Sequence, residues 1–221
     1  DGRGLWSTGM FHCDHAYGGD IDPQRPGLEV YYGYERPKPI NGVCLVDART
    51  GEVIWGLKER TYHVHSSGLC SDIDQAHPGM ECYSGERDYP MRRLHAANGE
   101  LLATESAFDV GLSPRAVYWD ADAQRELLHG GRVYDYDTGL THLAGVAGHQ
   151  AAWADIFGDW REEIVTSVAG ELRIYTTTVP ATDQRVTLMQ DPIYRADVAH
   201  LAMGYAQVPM TSYCLDARGR P

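Results

Sequence analysis

The residues best placed to do chemistry in this chain are carboxylates in a repeated pattern. In GGDIDPQRPGLEVYY, Asp20 and Asp22 stand one residue apart, a Pro and Gly loop follows, and Glu29 enters an aromatic run. Strand alternation puts both aspartates on one side. Calcium takes about six to eight oxygens from carboxylates, carbonyls and water, and a sharp loop closed by a glutamate supplies them within a short span. The pattern returns 52 residues on in SDIDQAHPGMECYSG, with Asp72, Asp74 and Glu81. Looser copies carry Asp120, Asp122 and Glu126 in YWDADAQRELLHGG, and Asp155, Asp159 and Glu163 in WADIFGDWREEIVTS, where Phe157 replaces the second aspartate. A single such loop reads as a solvated turn whose aspartates accept backbone hydrogen bonds. Four in line point to several Ca2+ ions, mainly structural, held at equivalent points of a repeated unit.

The elements that must position these loops are short β-rich runs joined by turn dipeptides: Thr50-Gly51, Asn98-Gly99, Thr138-Gly139 and Ala169-Gly170. Asn-Gly between alternating runs is a strong hairpin signal, and the others suit tight turns. Apolar residues alternate in LEVYYGY, GVCLVDA and ELRIYTTT rather than recurring at helical spacing, so an all-β fold is expected. Units of about 35 to 52 residues with three or four strands each read as β-propeller blades, with calcium loops at the blade entrances. Residues 1–221 would then form one domain of about four blades. A β-sandwich with long loops is the alternative, but it leaves the return of the acidic loop unexplained. Four blades are few for a closed propeller, so the chain is expected to be part of a larger one whose N-terminal half lies outside it. The tail RADVAHLAMGYAQVPMTSYCL is expected to supply closing strands.

Composition narrows the partners. Asp and Glu number 31 against 19 Lys and Arg, a net charge of −12, and no basic run stands out, which argues against nucleic acid. No apolar run of about 18 residues is present, so no helical membrane span is expected. The opening DGRGLWSTGMF lacks the basic start and apolar stretch of a signal peptide. Cys13, Cys44, Cys70, Cys82 and Cys214 show no CxxC pair, and most read as reduced core residues. His63 and His65 share one strand face and would suit a transition metal, but the sequence offers no third ligand.

FGDWREEIV, ELRIYTTTVP, TLMQDPIYR and DIDPQRPGLEV together resemble the C-terminal half of the rhamnogalacturonan lyases of polysaccharide lyase family eleven. The resemblance covers nearly the whole chain. It implies an eight-bladed, calcium-containing β-propeller, a secreted enzyme in the extracellular or periplasmic space, and β-elimination on an acidic polysaccharide of rhamnose and galacturonate. The chain departs from the family at three places. A Gly-His-Gly-Asp segment reads FHCDHAY here: His12 and Asp14 match, and Phe11 and Cys13 replace the glycines. Where the family has a sugar-contacting Asn-Gly-Thr-Lys, AGVAGHQAAWADI keeps only Gly148. A later asparagine becomes Ala202.

Elimination across C4 and C5 of a uronate needs its carboxylate neutralised, a base for the C5 proton and an acid for the leaving oxygen. The resemblance makes His12 and Tyr17 catalytic candidates, with His12 equally placed as a metal ligand beside Asp14, and His15 a substrate contact. His149, next to Gly148, is the candidate to replace a lysine base and is expected near His12; a plain loop histidine is its alternative. Arg161 is a candidate substrate contact, against a surface ion pair with Glu162. Two functions remain in view: a calcium-dependent lyase, and a non-catalytic propeller that binds carbohydrate or scaffolds an assembly.

Overall fold

The computed structural model describes residues 2–104 and 110–216. Its strands form antiparallel sheets that follow one another along the chain, each with strands in sequence order. The first holds β1 (Cys13–Gly19), β2 (Glu29–Tyr34), β3 (Val43–Asp47) and β4 (Val53–Gly56), and the second β5 (Leu69–Ser71), β6 (Glu81–Gly85), β7 (Arg92–His95) and β8 (Leu101–Thr104). The third holds β9 (Arg115–Val117), β10 (Glu126–His129), β11 (Arg132–Tyr134) and β12 (Thr141–Ala144), and the fourth β13 (His149–Ala154), β14 (Glu163–Val168) and β15 (Glu171–Tyr175). This succession of meandering sheets is propeller-like, as the repeats predict.

The four acidic loops occupy equivalent corners. Each joins the first two strands of its blade, and the loop glutamate lies opposite the last residue before the loop or next to it: Gly19 faces Glu29, Ser71 faces Glu81, Val117 faces Glu126 and Ala154 faces Glu163. The turn dipeptides close the outer hairpins with glycines in the left-handed region, Gly51 at φ 74° and Gly99 at φ 89° among them, which only glycine adopts at no steric cost. Side chains from alternate strand positions pack between blades. Tyr17, Tyr31 and Leu45 meet Leu69, Tyr83 and Leu94 across the first pair, and Val117 and Leu128 meet Trp153 and Ile164 across the second. Cys44, Cys70, Cys82 and Cys214 are buried and all five cysteines are free thiols.

The tail departs from expectation. It forms α1 (Pro192–Ala202) and then an extended segment with no strand. Asp191 caps the helix by accepting the Ile193 and Tyr194 amides, Pro192 opens it, and Tyr194 and Leu201 face inward. Those capping signals outweigh the expectation, drawn from the propeller architecture, that the tail supplies closing strands. The extended segment returns to the first two blades. Val208 and Met210 enter their core. The Asp20 amide donates to the Thr211 carbonyl at 3.2 Å, and the Cys214 amide to Asp20 Oδ2 at 3.1 Å.

A buried ion pair fastens the third blade to the fourth. Arg125 donates through Nε and Nη2 to Glu162 Oε2 and Oε1 at 3.1 and 3.2 Å, and its Nη2 reaches the Pro209 carbonyl at 2.8 Å. Glu162 also accepts the Tyr118 amide and the Tyr194 hydroxyl. Glu162 is therefore a core group, and the expected surface pair with Arg161 does not form. Among the described residues no helix is long and apolar enough to cross a membrane.

Candidate functional site

A β-bulge sets the centre of the site. Cys13 pairs with Tyr34 and His15 with Gly33, so Asp14 is the extra residue between them, a placement that turns a side chain out of the pleat. Its Oδ2 accepts the Ser66 amide at 2.8 Å and lies 2.9 Å from His65 Nδ1; its Oδ1 is 3.6 Å from His12 Nε2. His63 Nε2 lies 3.2 Å from His65 Nδ1 and 3.7 Å from Glu35. Asp14 with His63 and His65, and His12 with Asp14 and Glu35, each bring three ligand atoms within 4.8 Å of one another. The third ligand missing from the sequence reading of His63 and His65 is thus Asp14, from another blade, and Glu35 joins from the end of β2. Beside them opens a cavity of about 490 Å³ lined by Asp14, Ser66, Ser113, Gln207 and the stacked rings of His200 and Tyr205. The sequence reading omitted Glu35, Ser66, His200 and Tyr205, none of which carries a local signal.

Other candidates sit elsewhere. His15 is buried, its Nδ1 on the Ser66 carbonyl, and burial lowers its pKa to about 4. It packs so closely that a Cβ on Gly33 would meet its ring at 2.1 Å. Tyr17 is buried with its hydroxyl on the Gly68 carbonyl, and burial pushes its pKa upward. Neither reaches solvent as a sugar contact or an acid would. His149 is exposed at the start of β13, opposite Ser167, and is not part of the Asp14 cluster. Gly148 has φ 99°, and a Cβ there would lie 2.6 Å from the Ser167 carbonyl, so its backbone alone requires glycine. Arg161 pairs with Asp159 at 2.6 Å and caps the Val179 carbonyl, in a separate cavity with Asp183 and Arg185. Phe11 has φ 65°, where a bulky side chain is strained by about 1 kcal/mol or more. Phe11→Gly should therefore raise the melting temperature by a few degrees, read by calorimetry; a fall would show that the Phe11 ring stabilises more than its backbone costs.

The acidic loops share one wiring. Glu29 Oε2 accepts the Ile21 and Asp22 amides, Glu81 Oε2 those of Ile73 and Asp74, Glu126 Oε2 that of Trp119, and Glu163 Oε2 those of Ile156 and Phe157. Asp22, Asp74 and Asp122 each accept the amide two residues on. The loops then diverge. In the second, Glu81 Oε1 is buried without a hydrogen-bond partner; burial, with Asp72 and Asp74 close by, raises Glu81 to about 9, and burial, with Asp216 and Asp122 nearby, raises Asp72 to about 8. In the third, Asp120 and Glu126 meet Asp135 and His142 from the next hairpin within 4.8 Å. Burial raises Glu29 and Glu126 as well. In the fourth, protein donors take the carboxylates: Asp155 receives Gly158, Thr187 and Leu188, Glu163 receives Thr176, and Asp159 holds Arg161.

The fold and cluster define a propeller-like protein with an imidazole and carboxylate centre at the seam of its first two blades. The chain belongs to rhamnogalacturonan lyase family 11: the sequence model of that family's C-terminal domain matches residues 1–219. It is 36% identical to the rhamnogalacturonan endolyase YesW of Bacillus subtilis (strain 168) over 97% of this chain and 35% of that protein. To the rhamnogalacturonan exolyase YesX of the same organism it is 33% identical, over 97% of this chain and 38% of the relative. The crystal structures of YesW and of exotype YesX superpose on the whole chain with TM-scores of 0.80 and 0.82, each at 34% identity, covering 39% and 40% of those chains. The chain thus spans well under half the length of these relatives.

Proposed function

We propose that the protein containing this chain is a secreted polysaccharide lyase that cleaves a rhamnogalacturonan-like polymer by β-elimination, and that this domain contributes an eight-bladed propeller's C-terminal half together with part of its active site. The observation that carries this reading is the bulged Asp14, which draws His12, His65 and, through His63, Glu35 to one place on the surface. A cation held by His12, Asp14 and Glu35 would neutralise a uronate carboxylate and so acidify its C5 proton. His65 shares its Nδ1 proton with Asp14, which fixes the tautomer and leaves Nε2 to accept the C5 proton. His12, the more exposed imidazole, is the ligand of the pair.

Calcium in the acidic loops is part of the same proposal. The orphaned buried Glu81 oxygen and the raised carboxyls of the first three loops fit a divalent ion bound to oxygen. In the fourth loop burial raises Glu163 as well, but Arg161 and the Thr176, Thr187 and Leu188 donors already engage its carboxylates.

The test is absorbance near the band of a 4,5-unsaturated uronate, using the full-length protein and a panel of pectic polymers. A rise is expected, and His65→Ala should lower its rate at least about a hundredfold. A His65→Ala protein as fast as the parent would remove His65 from the chemistry. Retention of a polymer without any rise would leave a carbohydrate-binding propeller.

A further inference from the structure

We propose that the surface strip from Phe11 through Lys38 and Arg60 to Tyr62 and Tyr89 is a binding subsite for the uronate units of an acidic polysaccharide, lying beside the Asp14 cluster and separate from it. This rests on the reading above that the protein handles such a polymer.

The strip is invisible in the linear sequence, where no basic run occurs. The backbones of Lys38 and Thr61 bond to each other at 3.1 and 3.0 Å, and this bridge sets the Arg36 to Lys38 segment beside Arg60 to Tyr62. Phe11 is 77% exposed, with Lys38 Nζ 5.4 Å and the Arg36 guanidinium 5.6 Å from its ring centre. Tyr62 and Tyr89 stack with centroids 5.1 Å apart at 17°, both about half exposed, and Arg60 lies 5.4 Å over Tyr62. Among the described residues Arg36, Lys38 and Arg60 form no ion pair with a carboxylate. Three cations that pair with rings and with no carboxylate are unexpected on a chain of net charge −12.

Their chemistry selects the occupant. The apolar face of a pyranose packs on an aromatic ring, and guanidinium and ammonium groups bond carboxylates. A neutral glycan would need the rings and not the cations. The strip is also held in place: the Tyr62 amide donates to Glu86 Oε2 at 2.7 Å, and buried Arg93 grips Glu86 Oε1 at 3.2 Å. Tyr62 adjoins His63, and Arg36 adjoins Glu35, so a polymer crossing the Asp14 cluster can continue along the strip.

The experiment measures binding of the full-length protein and its variants to a rhamnogalacturonan-type polymer and to the same polymer with its carboxylates reduced, by gel retardation and calorimetry. Tyr62→Ala and Arg60→Ala should each weaken binding to the acidic polymer about tenfold, with the melting temperature falling by no more than a few degrees because both side chains lie at the surface and Tyr62 gives up only its stack on Tyr89. Tyr62→Phe should bind nearly as the parent does, and reduction of the polymer should abolish the effect of Arg60→Ala. Variants that bind like the parent overturn the proposal, as does equal binding of the reduced polymer. Variants that turn an oligomer into a monomer while polymer binding holds would make the strip a protein contact and also overturn it. A parent protein that binds no acidic polymer overturns the functional reading itself, a result distinct from the other three.

Discussion

Removing calcium is expected to lower the melting temperature of this chain by roughly 5–10 °C, and by more at high pH than at low. An ion that binds only the folded state adds about 2.7 kcal/mol at a hundredfold excess over its dissociation constant, and each kcal/mol moves the midpoint about 2–4 °C in a chain of this size. The pH dependence comes from the second acidic loop, where burial raises Asp72 to about 8 and Glu81 to about 9. A carboxyl raised in the fold contributes stability that is complete below its unfolded pKa near 4 and is lost as pH climbs through the folded value. The chelated chain should therefore weaken between about pH 4 and pH 9. Calcium held as proposed would bind the ionised pair and offset that loss, so the gap between loaded and chelated melts should widen with pH. Calorimetry in calcium and in chelator, at about pH 5 and about pH 9, reads this directly. A gap that stays flat, or elemental analysis finding no calcium in the loaded protein, would sink the proposal.

Glu162→Ala should be the most damaging single change outside the site. It strips Arg125 of its carboxylate and leaves the Tyr118 amide and Tyr194 hydroxyl without their acceptor, all in a region closed to water. Removing one partner of a buried pair costs about 3–5 kcal/mol, chiefly because the other charge stays buried. The midpoint should fall by about 10 °C or more. Arg125→Ala should cost a similar amount, and the double variant clearly less than the sum, since the pair acts as a unit. Additive losses would mean that each residue stabilises through separate contacts. Denaturant melts of the four proteins complete the cycle.

Much of the architecture was legible because it is written in local signals. Asn98-Gly99 and its relatives mark the hairpins, alternation marks the strands, and the return of the Asp-x-Asp loop marks the blades. What escaped depends on neighbours far off in sequence. Asp14 meets His65 only because two blades abut, and nothing near Glu35 distinguishes it from a solvated carboxylate. His15 and Tyr17 read as site residues because they lie in the segment that matches the family's functional motif, but alternation around the bulge sends them into the core. Glu162 and Glu163 are adjacent and alike in sequence; one crosses to Arg125 and the other closes its own loop. The helix over Pro192–Ala202 was readable from Asp191-Pro192 and the spacing of Tyr194, Val198 and Leu201, and the surrounding β pattern masked it.

The bond from the Cys214 amide to Asp20 spans 194 residues, and it has a temporal meaning. During synthesis the first acidic loop emerges before the tail, and one of its carboxylate oxygens must wait for Cys214 to leave the ribosome before it gains that donor. Contacts of such long range close late, because the entropy of ordering the intervening chain must first be met. The first blade would thus remain unfinished on the nascent chain until the segment carrying Cys214 has emerged and docked.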